Sequence, residues 1–181
     1  MREQEISGLV RFIDADPIIC DAARTAEELA LPLFLVGGWI RDRLLGIASR
    51  DYDFVVQGDV RVFAGRLSEK LGASFFIMGH GDPPNCRIAG RDYTVDMAPQ
   101  IPEGLEHELG RRDFTINTMA FSLGDRTFLD PLNGGRDLTD RLVRMVSPAV
   151  LNADPIRMLR AVRFTTFLEG FRLSPETASK I

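Results

Sequence analysis

The chain has 181 residues, of which 45% are hydrophobic and 27% charged, and its formal net charge at pH 7 is −4. These values fit one globular domain with a sizeable core, and the mild negative charge argues against a broad surface for gripping nucleic acid, which is typically basic. No apolar run reaches the roughly 18 residues that cross a bilayer, which argues against a membrane protein.

The N-terminus is polar and lacks the apolar segment of a secretory signal peptide. The cysteines are Cys20 and Cys86, far apart and without the spacing of a zinc site. Free thiols are the default in a reducing compartment, so the sequence predicts a cytoplasmic protein.

Hydrophobic periodicity predicts alternating helices and strands in the first half of the chain. Asp16-Pro17 is a helix-start signal, with Asp at the N-cap and Pro at the first helical position. The elements predicted after that helix are, in order, a buried strand at 33–36, a helix at 38–45 ended by Gly46, a strand at 51–56, an amphipathic helix at 59–71 and a strand at 74–78.

The second half continues in the same manner. A Gly- and Pro-rich turn at 79–85 precedes paired strands, and a helix with Asp113 as its N-cap is expected next. The predicted elements are strands at 86–89 and 93–97, a helix at 113–121, short strands at 128–130 and 143–145 around a Gly134-Gly135 turn and a brief polar helix, and a helix from Asp154-Pro155 to about 168. Together they predict an α/β (α+β) fold with a small mixed sheet flanked by helices.

Carboxylates on two strands are candidates for metal chemistry. Side chains two residues apart on a strand share a face, so Asp51 and Asp53 project together, as do Thr94 and Asp96. If these strands are neighbours, three carboxylates converge, and a divalent cation such as Mg²⁺ relieves their mutual repulsion. A solvated strand end with Arg50 as an ion-pair partner is the alternative for the first pair.

Two further segments suit a nucleotide ligand. Gly37-Gly38 lies between a strand and a helix, so it either lets the backbone approach a phosphate or makes a tight turn. Asp154 and Arg157 are three apart on a predicted helix, where they either read the hydrogen-bonding edge of a base or form an intrahelical salt bridge.

Arginine is the dominant basic residue: Lys70 and Lys180 are the two lysines among 22 basic residues. Codon bias is one explanation of this excess of arginine over lysine. The functional explanation is that the planar guanidinium chelates phosphates. Arg111-Arg112 is the densest case. It precedes Asp113 and Asn117, and the segment is either a triphosphate-binding element or an N-cap with surface arginines.

In this order, the segments resemble the head domain of the tRNA nucleotidyltransferase (CCA-adding) and bacterial poly(A) polymerase family, within the DNA polymerase β-like nucleotidyltransferase superfamily. The matching segments are LFLVGGWIRDRLLG, DYDFVV, RRDFTINTMAF, DPLNGGRDL and ADPIRMLRAVRF, which cover roughly 33–164. The resemblance implies the nucleotidyltransferase fold, with a catalytic head at 1–150 and the start of a helical neck at 151–181. Residues 174–181 look like the first turn of a further helix, and we expect more protein beyond it.

The resemblance also implies roles. Asp51 and Asp53 would hold two Mg²⁺ ions, with Asp96 as an auxiliary carboxylate. The implied nucleotide-binding residues are Gly37, Gly38, Arg41, Arg111, Arg112, Asp113, Asn117, Asp154, Arg157 and Arg160. The implied reaction is attack of the 3′-hydroxyl of tRNA or another RNA on the α-phosphate of CTP or ATP, with release of pyrophosphate. The RNA would be held mainly by later helical domains.

Two departures from the family pattern bear on specificity. The base-reading motif usually begins Glu-Asp, whereas Ala153 stands at its first position here. The segment at 98–110, which is associated with the change from CTP to ATP, is shorter than usual. CCA, CC, A and poly(A) addition therefore all stay open, and the alternatives to transfer are a non-catalytic nucleotide-binding module and a metal-dependent phosphohydrolase.

Overall fold

A mixed seven-stranded sheet is the centre of the fold. The structure is a computed structural model and describes residues 3–79, 81 and 83–181. In this part of the chain the strands are β1 (Leu33–Val36), β2 (Asp51–Val56), β3 (Phe75–Met78), β4 (Asn85–Ala89), β5 (Thr94–Pro99), β6 (Ala120–Ser122), β7 (Thr127–Leu129), β8 (Leu142–Val143) and β9 (Arg172–Leu173). The helices are α1 (Glu3–Ala15), α2 (Pro17–Glu28), α3 (Gly38–Leu44), α4 (Val60–Leu71), α5 (Leu105–Gly110), α6 (Gly134–Thr139), α7 (Pro148–Ala153), α8 (Ile156–Phe167) and α9 (Pro175–Ala178).

The strand order of the main sheet is β3-β4-β5-β2-β1-β6-β7. The central strand β2 pairs antiparallel with β1 and parallel with β5, and the other pairs in this sheet are antiparallel. The small mixed sheet flanked by helices that the sequence predicts is therefore confirmed. Helix α1 was not predicted.

The two faces of β2 have different environments because side chains alternate along a strand. Tyr52, Phe54 and Val56 belong to the main core, packed with residues of helices α2 and α4. Asp51 and Asp53 project from the opposite face, where Val55 joins a small apolar cluster. The core thus fixes the strand while both carboxylates stay outside it.

The start of α2 is tied to the back of β2. Asp16 Oδ1 accepts hydrogen bonds from the N–H groups of Ile18 and Ile19, which makes Asp16 the N-cap that the sequence predicts. Its other carboxylate oxygen accepts a hydrogen bond from the Tyr52 hydroxyl at 2.9 Å. One buried carboxylate therefore caps the start of a helix and also holds the strand that carries the candidate metal ligands.

The predicted helix at 113–121 is wrong. The structure has a single 3₁₀ turn at Thr115–Asn117, followed directly by β6. Ala120 pairs with Val36 of β1, and Phe121 packs in the core, so sheet pairing overrides the helical periodicity of this segment. Likewise, Gly134-Gly135 is the first turn of α6 and not a separate turn.

The C-terminal part packs onto the segment that precedes it. Strand β8 pairs in parallel with β9, and Arg144 bonds both Asp137 and Glu176. The division of the chain at residue 150, which falls within α7, stays a prediction. Of the predicted turn at 79–85, residues 80 and 82 lie outside the described residues. None of the described helices is long and apolar enough to cross a membrane.

The double role of Asp16 predicts a larger loss of stability than the loss of a cap alone. Asp59 is the matched control because it caps α4 through two similar hydrogen bonds and makes no further side-chain hydrogen bond or ion pair with the residues that the structure describes. Asp59→Ala should lower the free energy of unfolding by about 1 kcal/mol. Asp16→Ala should cost about 1–3 kcal/mol more, because it also leaves the Tyr52 hydroxyl unsatisfied. Urea unfolding measures both, and equal losses would contradict the proposed hold on β2.

Candidate active site

A cavity of about 640 Å³ opens at the start of β2, between α3 and α8. Its volume lies within the roughly 300–1,000 Å³ usual for small-molecule sites. The predicted site residues that line it are Gly38, Arg41, Asp51, Asp53, Arg112, Asp113, Asn117, Asp154, Arg157 and Arg160. Gly37, Asp96 and Arg111 were also predicted, and they are not among the residues that line it.

Strand register brings the three candidate carboxylates together. Asp53 stands opposite Asp96 in the parallel β2–β5 pair, and Asp51 lies two residues before it on the same face. The carboxylate of Asp96, however, is held by Arg87 of β4, whose Nε and Nη2 donate to its two oxygens at 2.5 and 2.6 Å. Asp51 and Asp53 are thus the carboxylates that face the cavity, and Asp96 is their neighbour.

The electrostatics of Asp53 reflect this crowding. Burial is the main cause that raises the pKa of its carboxyl, and the negative charges of Asp96 and Asp51 raise it further. Arg112 opposes them, with Nη1 3.7 Å from Asp53 Oδ2. The Arg112 Nε is buried and has no hydrogen-bond partner among the described residues. The site therefore concentrates negative charge beside a guanidinium that still has a donor to satisfy.

The donor set suits Mg²⁺. No group of three or more His, Cys, Asp or Glu side chains with the geometry of a metal site occurs in the described part of the chain. Mg²⁺ does not need one, because it is usually bound by one or two carboxylates, waters and substrate phosphates. Asp51 and Asp53 supply the carboxylates, and the Arg112 guanidinium, whose Nη1 lies near Asp53, suits a phosphate oxygen.

Gly37, directly after β1, lies against Arg112 of the segment at 111–117, which is called the arginine segment below. It precedes α3 with φ 79° and ψ −131°, a backbone conformation that residues other than glycine rarely adopt. A Cβ at this position would collide with the Arg112 guanidinium and lie 3.2 Å from Asp53 Oδ2. The glycine therefore makes room for Arg112 beside Asp53, although it is not part of the cavity wall.

A chain of buried polar contacts joins α3 to α8 across the cavity floor. Arg41 Nη1 donates to Asn117 Oδ1 at 2.6 Å, and Asn117 Nδ2 donates to Asp113 Oδ1 at 2.8 Å. Asp113 Oδ2 lies 2.8 Å from Arg160 Nε, and the Arg41 guanidinium stacks over the Phe164 ring. Asp113 and Asn117 are thus brought together as predicted, although by a tight turn and not by a helix.

The other end of the cavity carries the predicted base-reading pair. Asp154 Oδ2 lies 3.9 Å from Arg157 Nε. Arg157 Nη1 also donates to the backbone carbonyls of Arg111 and Val150, which fixes the guanidinium. The Arg111 side chain is exposed and lies near Glu108. Arg111 therefore contributes its backbone, and Arg157 ties α8 to the arginine segment.

Sequence reasoning missed part of the cavity lining. The unpredicted residues are Asp42, Ile47, Ala48, Ser49, Arg50, Arg163, Phe164 and Phe167. The Arg-Asp that follows the glycines was a usable signal for Asp42, whose carboxyl has a pKa raised mainly by burial. For Arg163 and Phe167 the sequence held no such signal, because their approach to the loop before β2 depends on how α8 packs.

The DPLNGGRDL segment packs against the 3₁₀ turn that belongs to the arginine segment. Asp130 accepts hydrogen bonds from the N–H groups of Gly134 and Gly135 at 2.6 and 2.9 Å. A Cβ at Gly134 would collide with the backbone carbonyl of Thr115, so α6 lies against the 3₁₀ turn. The Thr115 hydroxyl donates to Asp137 at 2.6 Å. This segment therefore has a structural role that was not predicted.

The sheet with its flanking helices is the nucleotidyltransferase fold, which the solved CCA-adding enzymes share. Residues 33–144 match the family model described as the poly A polymerase head domain. The chain belongs to that family.

Several named relatives are similar in sequence to most of this chain. The A-adding tRNA nucleotidyltransferase of Deinococcus radiodurans is 40% identical over 147 residues, which cover 81% of this chain and 33% of the relative. The CC-adding tRNA nucleotidyltransferase of Geobacter sulfurreducens is 35% identical over 165 residues, with 89% and 37% covered. A solved CCA-adding enzyme with CTP matches with a TM-score of 0.83 and 30% identity, covering 96% of this chain and 44% of that one. The chain thus spans about a third of the length of these curated relatives.

Gly37→Ala should separate the role of this glycine in the site from its role in the backbone. Gly104 is a close match, because it also precedes a helix with positive φ and extended ψ, and a Cβ there meets nothing within 4 Å. Both substitutions to alanine should cost about 1–3 kcal/mol of stability through backbone strain. Only Gly37→Ala should also weaken the binding of Mg²⁺–ATP or Mg²⁺–CTP in isothermal titration calorimetry, because its Cβ displaces Arg112. Equal nucleotide affinities in the two variants would contradict this assignment.

Proposed function

We propose that the chain is the catalytic head of a template-independent RNA 3′-terminal nucleotidyltransferase, which adds CMP or AMP, or both, to tRNA. The observation that carries the proposal is one cavity that is lined both by the Asp51 and Asp53 carboxylates and by the Asp154–Arg157 pair. Membership of the poly A polymerase head domain family supports it, as do the relatives named A-adding and CC-adding tRNA nucleotidyltransferases.

The carboxylate end suits the transfer chemistry. Asp51 and Asp53 would hold two Mg²⁺ ions, with Asp96 as an auxiliary charge. When bound, such ions supply Lewis-acid stabilisation of the attacking and leaving oxygens of an in-line phosphoryl displacement. Asp96 and its partner Arg87 would act indirectly, by fixing the charge beside Asp53. The protein's own task here is to keep these carboxylates on one rigid strand.

Arginines and glycines suit the triphosphate. The Arg112 guanidinium, with one unsatisfied buried donor, would bind phosphate oxygens beside Gly37-Gly38. Arg41, Asp113, Asn117 and Arg160 would support this wall of the site through the contacts that join α3 to α8. Since these groups are already oriented by hydrogen bonds and ion pairs, little ordering would be needed when the nucleotide binds.

The Asp154–Arg157 pair suits the base edge that cytosine and adenine share. Both bases carry an exocyclic amine next to an unprotonated ring nitrogen. A carboxylate accepts from the amine and a guanidinium donates to the ring nitrogen, whereas uracil and guanine present a different pattern. Ala153 is exposed at the end of α7, so the carboxylate that usually stands there is replaced by a group with no hydrogen-bonding capacity.

An extension assay of the full-length protein with three acceptors tests the proposal. The acceptors are a tRNA that ends before CCA, a tRNA that ends in CC and a generic RNA, each with Mg²⁺ and either CTP or ATP. Two C residues on the first tRNA or one A on the second would support the proposal and define the specificity. Long A tails on the generic RNA would indicate a poly(A) polymerase instead.

Other outcomes would contradict the proposal. Nucleotide binding without extension of any acceptor would indicate a non-catalytic module. Release of inorganic phosphate in place of pyrophosphate would indicate a phosphohydrolase.

Asp53→Asn should abolish most of the transfer. Stabilisation of this kind is worth several kcal/mol, and each 1.4 kcal/mol is about tenfold, so a loss on the order of 10³-fold in kcat is expected. Asp140→Asn is the control, because Asp140 is an exposed carboxylate at the C-terminal end of α6 that pairs with Arg136 and is not among the residues that line the cavity. Single-turnover extension measures both, and an active Asp53→Asn variant would refute the role of this residue.

A further inference from the structure

The outer end of the cavity is lined by two residues that the proposed transfer does not use. Arg163 and Phe167 lie on the last turns of α8, on the same cavity as the loop of residues 47–50 that leads into Asp51. The Phe167 side chain is 65% exposed. An exposed aromatic ring thus stands about one helical turn from a guanidinium, on the cavity that Asp51 and Asp53 also line.

The charge of Arg163 distinguishes it from the other arginines of the cavity. The others have partners: Arg41 bonds Asp42 and Asn117, Arg50 pairs with Asp92, Arg112 with Asp53, Arg157 with Asp154 and two backbone carbonyls, and Arg160 with Asp113. Arg163 has neither an ion pair nor a side-chain hydrogen bond within the described part of the chain. Its charge is therefore free to bind an anion.

An aromatic ring beside a free arginine is the usual combination for single-stranded nucleic acid. Bases stack on the ring, and the arginine contacts the backbone phosphate. Helix α8 also exposes the apolar side chains of Ile156 and Leu159, so a protein segment that covers this face is an outcome that the test has to distinguish. The lining of the same cavity includes the basic and small polar groups Arg50 and Ser49, and Arg163 adds a free positive charge. The chemistry therefore favours RNA.

Distance separates this end from the base of the incoming nucleotide. Phe167 follows Arg157 by ten residues on one helix, which corresponds to about 15 Å along the helix axis. One base cannot reach both the Asp154–Arg157 pair and the Phe167 ring. The acceptor hydroxyl, in contrast, must enter beside Asp51 to reach the α-phosphate.

We infer that Phe167 and Arg163 form the subsite for the 3′ end of the acceptor RNA, with the terminal base stacked on the Phe167 ring and a phosphate bound by Arg163. The inference rests on the proposed function, since it assigns an RNA acceptor to the same cavity. It assigns two parts of the α8 face of the cavity to different ligands: the part at Asp154 and Arg157 to the base of the incoming nucleotide, and the part at Phe167 to the acceptor.

The test uses the full 181-residue chain and a short single-stranded RNA whose 3′-terminal base is 2-aminopurine, without nucleoside triphosphate. Stacking on an aromatic ring quenches the fluorescence of this base. Phe167→Ala should abolish the quench and weaken RNA binding about 5- to 150-fold, the range for loss of one stacked base. Phe76→Ala is the control, because Phe76 is a 47% exposed ring on the edge strand β3, and this variant should behave as wild type.

Arg163→Ala should keep the quench but lower the slope of log affinity against log salt by about 0.7, the value for one lost phosphate contact on a single strand. Arg61→Ala, an exposed arginine on α4, should leave the slope unchanged. The affinity for CTP and ATP should change in none of the four variants.

Several results would overturn the subsite. They are a wild-type chain that leaves the probe unquenched, quenching that survives Phe167→Ala, and a loss of nucleotide affinity in place of RNA affinity. The last result would show that the ring contacts the incoming nucleotide or a covering protein segment. Failure of the proposed function is distinguishable, because in that case the probe is quenched and no acceptor is extended with any nucleotide.

Discussion

The site depends on the two different neighbours of β2. Because β1 runs antiparallel to β2, the end of β1 meets the beginning of β2, and Val36 stands opposite Asp53. Because β5 runs parallel on the other side, Asp96 stands opposite the same residue. The Gly37 turn, the carboxylates of Asp51 and Asp53 and the arginine-bound carboxylate of Asp96 are thereby fixed near the start of β2, in the middle of the sheet.

The negative charge concentrated near the start of β2 is balanced by several guanidinium groups. Arg87 neutralises Asp96, Arg112 approaches Asp53, and Arg160 pairs with Asp113. These contacts come from a strand, a loop and a helix that are far apart in the sequence. These contacts therefore do more than offset repulsion, because the Arg160–Asp113 contact also ties α8 to the segment that follows α5.

Local patterns predicted the elements that form the site, because each has its own signal. Period-two alternation predicted the shared face of Asp51 and Asp53 on β2, and the capping residue Asp16 marked the start of α2. The segment at 113–121 was mispredicted because its strand exists only through pairing with β1. A local signal cannot contain such a partner.

The contacts that complete the site were beyond sequence reasoning for the same reason. The hold of Arg87 on Asp96 depends on the register of β4 against β5, and the support of Thr115 by Gly134 depends on tertiary packing. Arg163 and Phe167 lie on a correctly predicted helix. Their functional meaning depends on which way that helix faces, and its exposed apolar residues obscure the pattern from which this is usually deduced.

A crystal structure of the chain with Mg²⁺ and a non-hydrolysable analogue of ATP or CTP tests the central claim most directly. The account predicts phosphates between Gly37-Gly38, Arg112 and the carboxylates of Asp51 and Asp53, with the base at Asp154 and Arg157. A nucleotide whose base lies at the Phe167 end, or whose phosphates lie away from Asp53, would contradict it.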